Sequence, residues 1–324
     1  MKIIQVVPKD VNSGPVNVAK DLNFGLMESN VDSQVFFLRN NRSLLYNIMK
    51  LYKKIRDEKI DVLHSHGIVP DVVCFLIFKF LKVHWVTTIH IDPLDDMKFI
   101  YPQTYRLICY VWLFMIRFAH HVIFLTPHIK GKYKLHNSTY IINSRKSKLI
   151  QVDKNKRSNK VGFCGALIER KNIVNLVDCI RALPHVSLII AGSGPLMESL
   201  SKTVSDNVKL LGFRDDLEDF WQDIDILILP SFSEGVPLVA VEALQRKIPV
   251  ILLRLDNYVG VFSDSEAFFL DTLTPLSLDT AINTIYDKYD IYQSNCEKAA
   301  RHQFSFRGWL NAYETVYRKI ISEQ

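Results

Sequence analysis

"ILILPSFSEGVPLVAVEALQRKIPVILL", residues 226–253, contains the pattern of a strand, a helix and a second strand. The two ends are short runs of branched apolar residues, which predict buried strands. Between them, Pro237 opens an apolar segment that predicts a buried helix over 237–245. The stretch also holds two carboxylates, Glu234 and Glu242. A glutamate on a helix that is otherwise typical of a protein core needs a partner, because charged residues are rarely buried alone.

The same alternation of strands and helices extends in both directions along the chain, which predicts parallel sheets covered by helices. A polar, basic stretch over 138–160 interrupts it and predicts a hinge or linker. The predicted helices cover 16–29, 43–58, 71–82, 103–118, 172–182, 195–201, 215–222 and 237–245. The predicted strands are "KIIQVV", "SQVFFL", "DVLHSH", "WVTTIH", "HVIFLT", "KVGFCG", "VSLIIAG", "VKLLGF", "ILILP" and "PVILL".

Length and composition predict a globular α/β protein of two domains. The chain has 324 residues, more than one core usually organises, and is 48% hydrophobic and 23% charged. We expect doubly wound domains over 1–145 and 146–305, and an amphipathic helix over 306–324. The net charge of +6 permits contact with anionic membranes, phosphates or nucleotides, and does not indicate nucleic-acid binding. Five scattered cysteines and the absence of a signal-peptide core in "MKIIQVV" indicate the cytosol.

Two strongly apolar segments, 72–86 and 107–116, are interrupted or flanked by Lys and Arg. Both are shorter than the roughly 20 apolar residues of a membrane-spanning helix. Core helices are the favoured interpretation, and helices that lie on a membrane surface are the alternative.

In parallel sheets, ligands bind beyond the carboxyl ends of the strands, so the residues after each predicted strand are candidates for a site. Gly14 follows the first strand, and His90 ends the fourth, where it is placed to hydrogen-bond a sugar. A structural role is the alternative for a lone histidine. His64 and His66 alternate along the third strand and face the same side. A structural role is favoured over metal binding because no third ligand follows nearby.

The strand ends in the second half suggest an anionic ligand. Arg170 and Lys171 lie at a helix start, where cations oppose the helix dipole and an anionic partner would offset this cost. Gly192 and Gly194 form a turn where backbone can approach a ligand closely. This turn lacks the third glycine of the dinucleotide fingerprint, which argues against an oxidoreductase.

Glu234 and Glu242 form an E-x7-E motif, and together with the strand-end segments they resemble the retaining GT-B glycosyltransferases of the family 4 type. The resemblance extends over nearly the whole chain. It implies two Rossmann-like doubly wound parallel-sheet domains that face a central cleft, with the helix 306–324 returning to the first domain. It also implies that Glu234 contacts the donor sugar and Glu242 the ribose of the nucleotide. Backbone N–H groups at the helix start would receive the diphosphate, over Gly235, Val236, Pro237 and Leu238.

The resemblance assigns further roles and contains two departures, one of which is the bulky pair Lys247 and Ile248 where the family often has a small residue. Lys171 takes the place of the diphosphate-binding lysine, His90 that of the histidine at the reacting sugar, and Gly14 lies in the loop facing the donor phosphate. Ala166 stands where the family usually has an arginine. We predict that Arg170 compensates for this missing cation. The alternative is that Arg170 is a solvated surface residue and that Lys171 and backbone N–H groups suffice.

The implied function is transfer of a sugar, with retention, from a nucleotide-diphosphate sugar to a glycan or lipid-linked acceptor in cell-surface polysaccharide biosynthesis. Neither a metal nor another cofactor is expected, because the acidic pair Asp223 and Asp225 belongs to a predicted strand region. The location expected is the cytosol or the inner face of the cytoplasmic membrane. Two alternatives stay open: a non-catalytic nucleotide-sugar-binding or scaffold subunit of a polysaccharide assembly complex, and a GT-B epimerase.

Overall fold

A computed structural model describes residues 1–146 and 158–323. The chain divides into two compact units. Unit 1 combines Met1–Lys146 with Ser305–Gln324, and unit 2 is Ser147–Phe304. The carboxyl-terminal helix therefore belongs to the same unit as the amino-terminal sheet.

Unit 1 is built on a parallel sheet of six strands in the order β2-β1-β3-β4-β5-β6. The strands are β1 (Lys2–Lys9), β2 (Asp32–Arg39), β3 (Val62–His66), β4 (His84–Ile89), β5 (His121–Phe124) and β6 (Ser138–Tyr140). The helices are α1 (Gly14–Glu28), α2 (Leu44–Glu58), α3 (Ile68–Phe78), α4 (Pro93–Ile100), α5 (Tyr105–Ile116), α6 (Pro127–Tyr133) and the carboxyl-terminal α13 (Phe306–Ser322).

The helices of unit 1 cover both faces of its sheet. On one face, buried residues of α2 to α6 form one core cluster with the strands. On the other, Val16 and Ala19 of α1 pack against Val7 of β1. Helix α13 packs closely on α1, since a Cβ at Gly25 would lie 3.0 Å from the Leu310 side chain.

Unit 2 has a second parallel sheet of six strands, in the order β9-β8-β7-β10-β11-β12. Its strands are β7 (Lys160–Cys164), β8 (Ser187–Ala191), β9 (Val208–Gly212), β10 (Ile226–Leu229), β11 (Val250–Leu253) and β12 (Ala267–Leu270). Its helices are α7 (Ile173–Arg181), α8 (Met197–Ser201), α9 (Glu218–Asp223), α10 (Leu238–Gln245), α11 (Pro275–Asp287) and α12 (Tyr289–Arg301).

Each sheet has one point where the strand order reverses direction. In unit 1 this point lies between β1 and β3, and in unit 2 between β7 and β10. The order in unit 2 is that of the Rossmann fold, in which ligands bind outside the carboxyl ends of the strands at such a switch point. A ligand site in unit 2 is therefore expected at the loops after β7 and β10.

The predicted fold class, two Rossmann-like doubly wound domains, is confirmed, and two local predictions need correction. The helix predicted over 71–82 is α3, which begins at Ile68, because the first turn of a helix accepts proline and Gly67 provides the turn with φ +98°. The segment 138–160 is not all linker, since it contains β6 and the start of β7. The part of it over 147–157 lies outside the described residues. Helices α4 and α6, and β12, α11 and α12 after β11, are additional, whereas the helix predicted over 306–324 is α13.

Candidate functional site

Two loops meet at the switch point of unit 2, and each carries predicted site residues. After β7 the chain forms a 3-10 turn over Glu169–Lys171, and after β10 it continues to Glu234. The Lys171 ammonium donates to the Glu234 carboxylate. The Arg170 guanidinium lies 3.5 Å from the same carboxylate and donates to the carbonyl oxygen of Ser233. The structure thus brings the predicted residues Arg170 and Lys171 together with Glu234, which is distant from them in sequence.

The backbone reinforces this junction. The Phe232 N–H donates to the carbonyl oxygen of Arg170 at 2.9 Å, so the two loops are also joined through main-chain atoms. Adjacent strands end close together at the sheet edge, which is why a sequence separation of 63 does not keep Lys171 and Glu234 apart.

The electrostatics of the junction favour an ionised glutamate between two cations. Burial, the largest single effect, raises the pKa of Glu234, but Lys171 and then Arg170 outweigh it and hold the pKa below its ordinary value. The Glu234 side chain is 8% exposed, whereas the cations are slightly more open at 13% for Lys171 and 17% for Arg170. Two cations against one carboxylate leave a net positive charge, which suits an anionic ligand.

Asn257 and Tyr258 support the Glu234 loop, and sequence reasoning missed both. The Asn257 side-chain amide donates to the carbonyl oxygen of Glu234 at 2.8 Å and is buried. Tyr258 is buried beside it, and burial followed by the Glu234 charge raises the pKa of its hydroxyl well above the ordinary value. Both residues follow β11 at the same sheet edge, so the strand-end rule that found Glu234 could have found them.

Helix α10 begins at Leu238, directly after Pro237, as the sequence predicted. Glu242 lies in its second turn and is 9% exposed. The predicted donor-binding backbone positions before it are all buried: Gly235, Val236, Pro237 and Leu238. Their placement on the loop from Glu234 into α10 agrees with the prediction, whereas the ligand contacts themselves stay a prediction.

Close contact between two loops of unit 2 leaves no room for a side chain at Gly192 and Gly194. Gly192 has φ +149°, and a Cβ there would lie 1.9 Å from the carbonyl oxygen of Gly165. A Cβ at Gly194 would lie 2.5 Å from the carbonyl oxygen of Leu167. Absent side chains therefore let the loop after β8 pack on the loop that leads to Lys171, a reason that differs from the predicted approach of a nucleotide.

In unit 1, His90 follows β4 and is joined to a chain of buried polar groups. The Gln5 amide nitrogen lies 3.4 Å from the Tyr317 hydroxyl, so Gln5 Oε1 accepts from His66 Nε2 at 2.9 Å. Burial lowers the pKa of His66 well below its ordinary value, and that of His90 to about 3, so both rings are neutral. His66 Nδ1 is then the acceptor for His90 Nε2 at 3.0 Å. This leaves the lone pair of His90 on Nδ1.

Helix α13 completes this network and was not connected with His90 by the sequence. The Tyr317 hydroxyl lies 2.6 Å from His64 Nδ1, and His64 Nε2 lies 2.8 Å from the Thr88 hydroxyl. Burial lowers the pKa of His64 well below its ordinary value. The predicted structural role of His64 and His66 is therefore correct. Their spacing was the available signal, but the contact with Tyr317 spans 253 positions.

Gly14 is the first residue of α1 and faces open space, with no atom within 4 Å of a Cβ built there. Gly14 and His90 belong to unit 1, whereas Lys171, Glu234 and Glu242 belong to unit 2. Asp225 is structural, as predicted, because it accepts from Ser158 and from the Tyr286 hydroxyl at 2.8 Å.

Comparison with known proteins identifies the family of the chain. A family model described as Glycosyltransferase Family 4 matches residues 26–139, and one described as Glycosyl transferases group 1 matches residues 144–303. The chain belongs to the GT-B glycosyltransferases of the family 4 type. The second match contains the Arg170, Lys171 and Glu234 cluster as well as Glu242.

Individual glycosyltransferases resemble the chain over most of its length. The O-antigen biosynthesis glycosyltransferase WclY of Escherichia coli is 25% identical over 369 aligned positions, which cover 100% of this chain and 99% of the relative. The UDP-Gal:alpha-D-GlcNAc-diphosphoundecaprenol alpha-1,3-galactosyltransferase of Escherichia coli is 22% identical over a region that covers 85% of this chain and 79% of that enzyme. Anabaena Alr3699/HepE, solved with UDP and glucose, has a TM-score of 0.75 at 18% identity, over 97% of this chain and 98% of that structure.

Proposed function

We propose that this glycosyltransferase moves a sugar, with retention of anomeric configuration, from a nucleotide-diphosphate sugar to a glycan or lipid-linked acceptor in cell-surface polysaccharide biosynthesis. The observation that carries the proposal is the cluster of Arg170, Lys171 and Glu234 at the switch point of unit 2. The relatives named for O-antigen synthesis and for UDP-Gal support the same substrate classes and make UDP-sugars the first donors to test.

The cluster suits a diphosphate leaving group next to a sugar. An ammonium has three donors, so Lys171 can keep its bond to Glu234 and donate to a phosphate oxygen as well. Arg170 carries a forked group that binds phosphate oxygens in pairs. The Glu234 carboxylate accepts hydrogen bonds from sugar hydroxyls, while Glu242 binds the ribose.

In the proposed reaction, the bond from the anomeric carbon to the phosphate oxygen breaks. A bond from the acceptor hydroxyl oxygen to that carbon forms on the same face, and the hydroxyl proton passes to the leaving phosphate. Negative charge accumulates on the phosphate, where Lys171 and Arg170 stabilise it. His90, with its lone pair on Nδ1, accepts a hydrogen bond from a hydroxyl of the reacting sugar.

The test is a donor screen followed by a transfer assay. We expect a UDP-sugar to raise the unfolding temperature of the full chain, because a ligand at about a hundred times its Kd adds about 2.7 kcal/mol to stability. Product formed with that donor and a lipid-diphosphate sugar should have the anomeric configuration of the donor by NMR. Lys171→Ala should reduce the donor-induced shift by about half or more, because a tenfold weaker Kd lowers the stabilisation to about 1.4 kcal/mol, and Lys202→Ala at an exposed site should not reduce it. Inverted product would contradict retention.

One observation favours a second function. Ala166, at the position of the family's usual arginine, removes a phosphate cation, which a non-catalytic nucleotide-sugar-binding subunit could tolerate. Donor binding without transfer or hydrolysis for any acceptor would favour that subunit role. For the enzyme, we propose a location at the inner face of the cytoplasmic membrane, where a lipid-linked acceptor would be met.

A further inference from the structure

The outer surface of unit 1 carries an unusual concentration of exposed apolar side chains. Residues 44–118 hold fifteen of the twenty-five large apolar residues that are exposed in the described part of the chain. Those of unit 2 are fewer and scattered. Single exposed apolar residues need no explanation, but a contiguous patch marks an interaction surface.

Helices α3 and α5 lie side by side and carry the centre of this concentration. The ring centroids of Phe75 and Phe118 are 5.7 Å apart, and the Lys79 ammonium lies over both rings, at 4.9 and 4.8 Å. We define the α3–α5 face by six of the exposed apolar residues here, namely Leu76, Phe80, Leu107, Tyr110, Phe114 and Phe118.

Helix α5 is apolar on all sides, although only one side is buried. Cys109, Trp112 and Ile116 face the core of unit 1. Leu107 is 66% exposed, and Tyr110 71% exposed, on the opposite side. A surface helix of a globular protein normally places polar residues on its outer side, so this outer side is suited to an apolar medium.

The exposed charges on and directly beside α3 and α5 are of one sign, whereas α4, which packs on α5, carries the half-buried Asp95 and Asp96. Lys79, Lys82, Arg106 and Arg117 are exposed on or beside α3 and α5. Positions 97–152 contain no Asp or Glu and nine Lys or Arg. Aromatic and aliphatic residues bordered by cations are the composition of a surface that inserts at the boundary of an anionic bilayer. A second copy of the chain is disfavoured as the occupant, because a two-fold contact would oppose like charges.

We propose that the α3–α5 face docks on an anionic lipid bilayer, with the apolar side chains in the interface and the four cations at the headgroups. In the described residues, no helix is long and apolar enough to cross a membrane. The twelve residues of α5 span about 18 Å, against about 30 Å of hydrocarbon, so the helix would lie in the interface plane. Only the use of the docking, the capture of a lipid-linked acceptor, rests on the proposed function. The docking itself does not depend on it.

The experiment is flotation of the full chain with vesicles that contain about one third phosphatidylglycerol in phosphatidylethanolamine, compared with pure phosphatidylcholine vesicles. We expect binding to the anionic vesicles, and a loss of about tenfold or more for Leu107→Glu/Phe114→Glu. Arg106→Gln/Arg117→Gln keeps the apolar residues and should lose about fivefold per cation at low salt. Leu276→Glu/Ile291→Glu, at two exposed apolar sites of unit 2, is the matched control and should bind like the parent.

Equal binding of parent and Leu107→Glu/Phe114→Glu, or no flotation of the parent at low salt, would overturn the proposal. So would a lipid-free dimer that this double variant dissociates, because the face would then join two copies. Thermal unfolding confirms that each variant is folded. Transfer to a short, water-soluble acceptor separates the two proposals, since the double variant should retain that activity if the catalytic proposal holds.

Discussion

Lys171 and Glu234 form an ion pair, 13% and 8% exposed, that joins two loops at the switch point of unit 2. Arg170 is a second cation on the same carboxylate, at 3.5 Å. A buried pair of this kind is a weak source of net stability, but the loss of one partner leaves the other charged and desolvated. The consequences for mutation are therefore asymmetric.

We expect Glu234→Ala to destabilise the chain by about 3–5 kcal/mol, because it leaves two cations without their carboxylate. Lys171→Met should cost less, since Arg170 still offsets Glu234. The double variant Lys171→Met/Glu234→Ala should be more stable than the sum of the single changes by about 1–3 kcal/mol. Urea unfolding measures all three, and the exposed pair of Lys202 and Glu198 is a control with coupling of about 0.5 kcal/mol or less. Additive effects at Lys171 and Glu234 would show that they do not act as a pair.

Glu234 and Glu242 should differ in the kinetic step that they affect. Glu234→Gln keeps the shape of the side chain and removes charge next to the sugar, so kcat should fall with little change in donor affinity. Glu242→Gln should mainly weaken donor binding, because the ribose contact is present in ground state and transition state alike. Donor titration by calorimetry and steady-state kinetics separate the two effects. Small, equal changes in both variants would refute this division of roles.

A methyl group at Gly192 should disrupt the loops that present Lys171. Gly192→Ala combines a positive φ with a Cβ 1.9 Å from a carbonyl oxygen, so the expected loss of unfolding free energy is about 2 kcal/mol or more. Gly14→Ala is the matched control, because no atom lies within 4 Å of its Cβ. It should change stability by less than about 1 kcal/mol. Similar effects of the two substitutions would remove the packing explanation for Gly192.

The sequence predicted the elements with long, strong patterns and missed those that depend on context. The stretch 226–253 forms β10, α10 and β11 with bounds close to the prediction. Helix α12 was missed because its apolar residues are few, and α4 because eight residues give too short a period to detect. The strand-end rule found Arg170, Lys171, Glu234 and His90. It could not assign Tyr317 to His64 and Gln5, because that contact depends on where α13 packs.

Acid should weaken unit 1 through its buried histidines. A histidine in the unfolded chain has a pKa of about 6.5. In the folded chain, burial lowers the pKa of His64 and His66 well below this value, and that of His90 to about 3. Between these limits the unfolded chain binds more protons, so the free energy of unfolding falls as pH falls below about 6.5. Each histidine contributes a slope of about 1.4 kcal/mol per pH unit.

Asp71 acts in the opposite direction. Burial raises its pKa to about 6, against hydrogen bonds from Ser65, Thr87 and Trp112 that lower it. The folded chain therefore binds one more proton between about pH 6 and the unfolded value of about 3.9, which adds stability as pH falls. One carboxyl offsets one histidine, so a net loss of stability remains. The test is urea unfolding at pH 6 and pH 5, roughly the upper part of this window. His66→Asn should reduce the pH slope of the unfolding free energy by the contribution of one histidine. His136→Asn, at an exposed site, controls for histidine removal, and an unchanged slope in His66→Asn would contradict the assignment.

Arg170 should act in donor binding nearly as strongly as Lys171. Its side chain is not a solvated surface group, since it is 17% exposed and lies against Ser233 and Glu234. Ala166 supplies no cation, and loss of a charge-assisted hydrogen bond to the diphosphate costs about 1.5–3 kcal/mol. We therefore expect Arg170→Ala to weaken donor binding by about tenfold or more, close to the effect of Lys171→Ala.

An arginine at position 166 provides the decisive test of this compensation. A Cβ at the preceding residue, Gly165, would lie 3.9 Å from the Lys171 Cε atom, so the backbone next to position 166 passes close to the lysine side chain. Ala166 is itself exposed, which leaves room for a longer side chain. We expect Ala166→Arg to restore part of the donor affinity that Arg170→Ala loses, measured by calorimetry with the donor found in the screen. An Arg170→Ala protein that binds donor like the parent would show that Lys171 and backbone N–H groups suffice, because the missing arginine would then need no substitute.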